Sequence, residues 1–191
     1  MGFKLITPPL EEPITLAEAK EHLRVLSLDE DALIGSLITA ARQWCEGFQN
    51  TIYLTQTWLL TFDEWPTFPI ELSKSPLQSV TKIEYIDENS NATIWDQSNY
   101  IIDNIASPGR VALKSNYNIP SITLQEINGV QITFVAGHTT SDDVSGKVKA
   151  AMKLLISHWY ENREAVVVGN ARGKLQFAVD SLLWQDRVMP V

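Results

Sequence analysis

Apolar side chains recur along this chain with two different periods, and the switches between them divide it into three parts. Leu33, Ile34, Leu37, Ile38, Ala41, Trp44, Cys45 and Phe48 stand at i, i+3, i+4 and i+7, the single stripe of an amphipathic helix. A shorter helix is predicted before it over "PITLAEAKEHLRV", residues 13–25. There Thr15 and Glu18 have the T-x-x-E spacing in which each side chain satisfies a free backbone N–H of the first turn. Pro13 marks a chain arriving from an extended arm. Asp29, Glu30 and Asp31 precede the second helix and are expected as solvated caps at the positive end of its dipole.

From Thr51 the period falls to two. Trp58, Leu60 and Phe62 alternate with Thr57, Leu59 and Thr61; Ile83 and Tyr85 alternate with Lys82 and Glu84; Val130, Ile132, Phe134 and Ala136 alternate with Gln131 and Thr133. The clusters "WPTFP", "DENSN", "SPGR" and "EING" separate these runs as turns. Helical spacing returns after "SDD", with Val148, Met152, Leu155, Ile156 and Trp159 in phase. The loop "VVVGNARGK" then leads to a last helix carrying Leu175, Ala178, Val179, Leu182 and Leu183. The predicted class is α+β: two N-terminal and two C-terminal helices form one helical domain, with a mostly antiparallel β domain inserted. The expected parts are an N-terminal arm and helices over 1–50, the sheet over 51–140, and C-terminal helices with a tail over 141–191.

Composition narrows the class further. A chain of 191 residues with 45% apolar side chains has ample material for a core, burying about 70% of its unfolded surface. The one cysteine, Cys45, rules out an internal disulfide and falls in the apolar phase of a helix, the place of a buried inert thiol. No apolar run approaches the roughly 20 residues that cross a bilayer. The start "MGFKLITPPLEEP" lacks a signal-peptide layout, and Ile6 breaks the myristoylation pattern. The expectation is a protein of a reducing cytoplasm. A net charge of −8 lacks the clustered cations that a sequence-independent grip on DNA requires. The imbalance is uneven: residues 1–50 hold 4 basic and 8 acidic side chains and residues 51–140 hold 4 and 9, but residues 141–191 hold 7 and 6. The acidic parts suit a surface that DNA passes without adhering, and the last part suits an acidic protein partner.

Candidate chemistry is sparse. His158 and Glu161 lie at i, i+3 in "LLISHWYENREAV", close enough to share a hydrogen bond or an ion. A zinc site wants at least three protein ligands, and the other histidines, His22 and His138, fall in different elements. Leu154, His158 and Glu161 form a strip beside the main stripe of their helix, whereas Glu164 points elsewhere. Such a helix has one side for its own core and another for a packing or subunit contact. "DENSNA" resembles a calcium loop at first, but Ala92 stands where the turn glycine belongs and Ser98 where the bidentate glutamate belongs. It reads as a hairpin turn. "GNARGK" lacks the spacer and hydroxyl of a phosphate loop and reads as a connector. No serine has a nucleophile-elbow context. Neither a catalytic residue, a metal site nor a cofactor is expected.

Taken together and in order, "ITLAEAKEHLRV", "TQTWLLTFDEWP", "SPLQSVTKIEYID", "PGRVAL", "ITFVAGH" and "HWYENREAV" resemble the head–tail connector proteins of tailed phages and prophages, also called adaptor or head-completion proteins. The resemblance spans about residues 8–188. It implies a helical connector domain in a subunit of a twelve-fold ring beneath the portal, around a channel through which DNA passes without sequence-specific binding. A further head-completion, stopper or tail protein would bind below, and no catalytic residues are implied. A ring needs two different adhesive sides on each subunit, and the strip Leu154, His158, Glu161 supplies one. The ending "LLWQDRVMPV" offers Trp184, Arg187, Val188, Met189 and Val191 as the portal contact, large side chains of the kind that anchor interfaces. The particle itself would be its location, after the host cytoplasm. The alternatives are a tail-completion protein of the same assembly or a small metal-dependent hydrolase.

Overall fold

The computed structural model describes residues 1–162 and 171–188. They form eight strands and four helices in two compact units. One unit holds residues 1–9 and 55–138; the other holds residues 10–54 and the chain from Thr139 onward.

The helical unit contains α1 (Leu16–Leu23), α2 (Asp31–Gln49), α3 (Gly146–Glu161) and α4 (Ala171–Leu183). Thr15 caps α1 as its spacing predicts. Its Oγ1 accepts from the Glu18 N–H at 3.2 Å, and the Glu18 carboxylate accepts from the Thr15 N–H at 2.7 Å. Ile34, Ile38, Ala41 and Cys45 of α2 are buried against Val148, Met152 and Ile156 of α3 in one apolar core. Val179 and Leu183 of α4 complete it. The acids ahead of α2 are more committed than solvated caps. Asp31 takes Lys20 Nζ at 2.5 Å, and Glu30 accepts the Tyr160 hydroxyl. Helix α4 also starts sooner than the connector reading of "GNARGK" has it, at Ala171. Ala, Arg, Lys, Leu and Gln favour helix strongly enough to outweigh one internal glycine, which costs about 1 kcal/mol.

The other unit contains β1 (Gly2–Thr7), β2 (Gln56–Phe62), β3 (Ile70–Leu72), β4 (Leu77–Ile86), β5 (Ala92–Trp95), β6 (Tyr100–Asp103), β7 (Gly109–Leu113) and β8 (Val130–Ala136). They build two antiparallel sheets, ordered β1-β2-β8-β4-β5 and β3-β7-β6. Alternation predicted β8 in full: Val130, Ile132, Phe134 and Ala136 are all 0% exposed. The "DENSN" turn joins β4 to β5, with the Asp87 carboxylate accepting from the Asn89 and Asn91 N–H groups at 2.9 and 2.8 Å.

Two features depart from the sequence reading. The first residues, grouped there with the helices as an arm, form β1 and pair with β2 from Gly2↔Thr61 to Thr7↔Thr57. All six β1 residues are exposed, so no alternation advertises the strand; pairing alone defines it. The strands after β2 also divide between two sheets instead of one. Gly109 permits the close approach: a Cβ there would lie 2.4 Å from Leu77 Cβ, so the start of β7 can pass β4 only without a side chain.

Candidate assembly surfaces

The strip on α3 is only partly outward. Leu154, His158 and Glu161 sit at i, i+4 and i+7 and so share a face, but Leu154 is half-buried against the core of its own helical unit. His158 is half-buried and Glu161 exposed. The Asn162 amide caps this end of the helix, donating to the His158 carbonyl at 2.8 Å while its Nδ2 stands 3.3 Å from His158 Nδ1. Glu164 lies outside the described residues. No three His, Cys, Asp or Glu side chains among the described residues are grouped as a metal site requires, and none of the described helices is long and apolar enough to cross a membrane.

The C-terminal segment is fastened down more firmly than a free tail. After α4 a 3-10 turn, Trp184–Asp186, brings the chain back to the end of α2. The Val188 N–H donates to the Gln49 carbonyl at 2.8 Å, and Asn50 Nδ2 donates to the Val188 carbonyl at 3.0 Å. The Arg187 guanidinium lies 5.3 Å from the Phe48 ring centre and 5.5 Å from that of Trp184. At α3, Lys147 Nζ donates to Gln185 Oε1 at 2.9 Å and stands 3.6 Å from Asp186. Trp184 nevertheless remains 60% exposed. Of the five residues expected at the portal, Trp184 is exposed, Arg187 and Val188 are half-buried, and Met189 and Val191 lie outside the described residues.

A buried polar network, absent from the sequence reading, supports this segment. Arg42 donates to Glu12 through Nε at 2.7 Å and to Glu46 through Nη1 at 2.8 Å. Glu46 also accepts the Tyr53 N–H at 3.0 Å, the Tyr53 hydroxyl donates to Gln49 Oε1 at 2.6 Å, and Gln49 Nε2 donates to the Leu183 carbonyl at 2.7 Å. Within the helical unit the chain of bonds links Glu12 ahead of α1, α2 and the end of α4. The i, i+4 pair Arg42–Glu46 was its one signal in the sequence. Desolvation opposes charge on Arg42, but the hydrogen bonds and charges of Glu12 and Glu46 raise its pKa nonetheless. Burial pushes the neighbouring Cys45 thiol up to about 12, which keeps it un-ionised and inert.

A family model described as head completion protein matches residues 12–172. The chain belongs to the head completion protein family. Its role is structural, in connecting head to tail. A comparison with curated protein sequences gave no match. Among solved structures, this head completion protein is similar to a chain in the neck of an empty gene transfer agent particle computed with C6 symmetry, at TM-score 0.81 and 22% identity. It is also similar to a chain in the virion of the native particle, at TM-score 0.79 and 21% identity. A third match is to the native neck computed with C12 symmetry, at TM-score 0.79 and 20% identity. Each match covers 100% of this chain and 97% of the other. These similarities bear out the α+β fold expected from the sequence.

Acid should loosen both units of this head completion protein. In the helical unit, Glu18 is held below the usual carboxylate range mainly by the Thr15 N–H. In the sheet unit, Asp87 is lowered by the Asn91 side chain and backbone, Asp96 by the Ser98 N–H, and Asp103 by the Ala106 and Ile105 N–H groups. A carboxylate whose pKa is lower folded than unfolded binds fewer protons in the native state. Its stabilisation is complete above the unfolded value, near 4, and is lost as pH falls through the folded value. The expected result is a Tm that falls as pH drops below about 4, with a shallower fall for Asp87→Asn. Thermal melts across that window would refute this if wild type and variant ran parallel.

Proposed function

We propose that copies of this chain close into a twelve-fold ring at the junction of head and tail, seated on the portal protein and extending its channel. Membership of the head completion family carries this reading, and the likeness to a chain in a neck computed with C12 symmetry supports the ring number. In this reading a stopper or tail protein binds below. DNA passes through without sequence-specific recognition, consistent with a net charge of −8 that offers phosphates little purchase. The subunit waits in the host cytoplasm and ends in the virion. It carries no catalytic step and needs no cofactor.

The strip His158 and Glu161, with Leu154 behind it, forms part of one subunit contact, and the segment from Trp184 onward faces the portal. Trp184 is the natural anchor, since a large aromatic side chain left 60% exposed gains most from being covered. Replacing it leaves the backbone bonds of Val188 in place, so Trp184→Ala should fold as wild type. Co-sedimentation with purified portal should weaken by about 30-fold or more, the effect of losing one interface hot spot. Unchanged co-sedimentation would remove Trp184 from the portal contact.

A further inference from the structure

The five-stranded sheet ends in two unlike edges. At one, all six residues of β1 are exposed, with Phe3, Leu5 and Ile6 37%, 39% and 47% accessible. Apart from its pairing with β2, β1 makes no backbone hydrogen bond among the described residues. Proline is absent from the strand and Lys4 is its one charged side chain, so the usual protections of an edge are thin. At the other edge, Ala92, Thr93 and Ile94 of β5 are exposed, Ile94 at 66%, and Trp95 is buried. Among the described residues that edge too makes no backbone bond beyond its pairing with β4.

The edges also differ in charge. Beside β1 stand Lys4 and also Lys74, whose Nζ lies 5.7 Å from the Phe3 ring centre and 4.7 Å from that of Trp58. Asp63 and Glu64 follow β2 near the Gly2 end, and Asp63 is occupied by the Asn128 N–H at 2.9 Å. Strand β5 runs between Asp87 and Glu88 on one side and Asp96 on the other. Lys82 on the adjoining β4 is taken by Glu84 at 2.8 Å, and Lys114 donates to the Ser98 carbonyl at 2.8 Å.

We propose that β1 of one copy adds to the β5 edge of the next, so that the five-stranded sheets of neighbouring subunits join edge to edge. This rests on the ring reading above. A ring repeats one head-to-tail contact and needs two complementary surfaces on each subunit. The β1 and β5 edges are such a pair: Lys4 stands on one, and Asp87, Glu88 and Asp96 flank the other. Main-chain bonds of strand addition supply adhesion, and the charges fix which edge meets which. Pairing of β1 with a second β1 would bring Lys4 toward Lys4 and close a dimer instead.

The test uses the full chain, assembled alone or on purified portal, with Lys4→Cys combined in turn with Ala92→Cys, Thr93→Cys or Ile94→Cys. Cys45 is 0% exposed and stays silent. Under mild oxidation at least one pair should yield a ladder of linked subunits, while Lys4→Cys alone yields none. Lys4→Glu, at an exposed position, should keep the fold and weaken assembly by roughly two- to five-fold per contact, the effect of like charges meeting across a strand pair. Rings visible by electron microscopy without any cross-linked ladder would overturn the edge contact and leave the ring reading standing. So would a second protein found pairing with β1. Absence of rings under all conditions would remove the ring reading, and the edge contact with it.

Discussion

Arg42→Met should cost about 3–5 kcal/mol of unfolding free energy, the range for breaking a buried ion pair from one side. The guanidinium is 5% exposed and Glu46 is 9% exposed. Removing the cation takes the ion-pair partner from a buried Glu46 carboxylate, whose other oxygen accepts the Tyr53 N–H. Glu12, at 26% exposed, retains water and the Thr39 hydroxyl at 2.9 Å, so Glu12→Gln should cost much less, about 1 kcal/mol. Replacing Arg42 and Glu46 together by apolar residues of similar volume should recover much of the loss, because no orphaned charge then remains. Urea unfolding of the three variants checks this. Equal losses for Arg42→Met and the double variant would mean that packing, not charge burial, sets the effect.

Phe134→Ala should destabilise the sheet unit by about 3–5 kcal/mol. Phe134 is the largest side chain of β8 on the buried face, and β8 is a central strand, paired with Trp58 on one side and Val80 on the other. A cavity there has backbone ladders on both flanks and little freedom to collapse. Its neighbour Thr133 points to the opposite face and is half-buried; Thr133→Ala should fall within about 0.5 kcal/mol of wild type, as surface changes do. Comparable losses at the two positions, measured by denaturant unfolding, would contradict the assignment of faces.

The helical core and β8 were legible because their information is local. Ile34, Ile38, Ala41 and Cys45 repeat within one helix, and four consecutive inward positions of β8 repeat within seven residues. Strand β4 was read only at Ile83 and Tyr85, because its register shifts between Leu77 and Ser79 and again between Val80 and Lys82. Each bulge resets the alternation, so Leu77, Val80 and Ile83 are buried three apart. The candidate surfaces were legible in kind. The strip on α3 was read from the helical wheel, which fixes a shared face but not how far the core reaches around the helix; the half-buried Leu154 shows that reach. The C-terminal anchors were read from residue type alone, which does not report that the same segment is bonded to α2.

By itself, the sequence determined the helices, the strands β2 and β8, the capped start of α1, the inward face of β8 and the inert placement of Cys45, all set by neighbours within a turn or a strand. Tertiary structure alone decided the rest. Gln49 finds its carbonyl partner at Leu183, 134 positions away, β1 exists as a strand only because β2 lies beside it, and Arg42 is tolerated inside only because Glu12 and Glu46 converge on it. Such pairings join groups far apart in the chain, and no period or motif encodes them. They form when burial strips polar groups of water and each must take whichever partner the fold brings within reach.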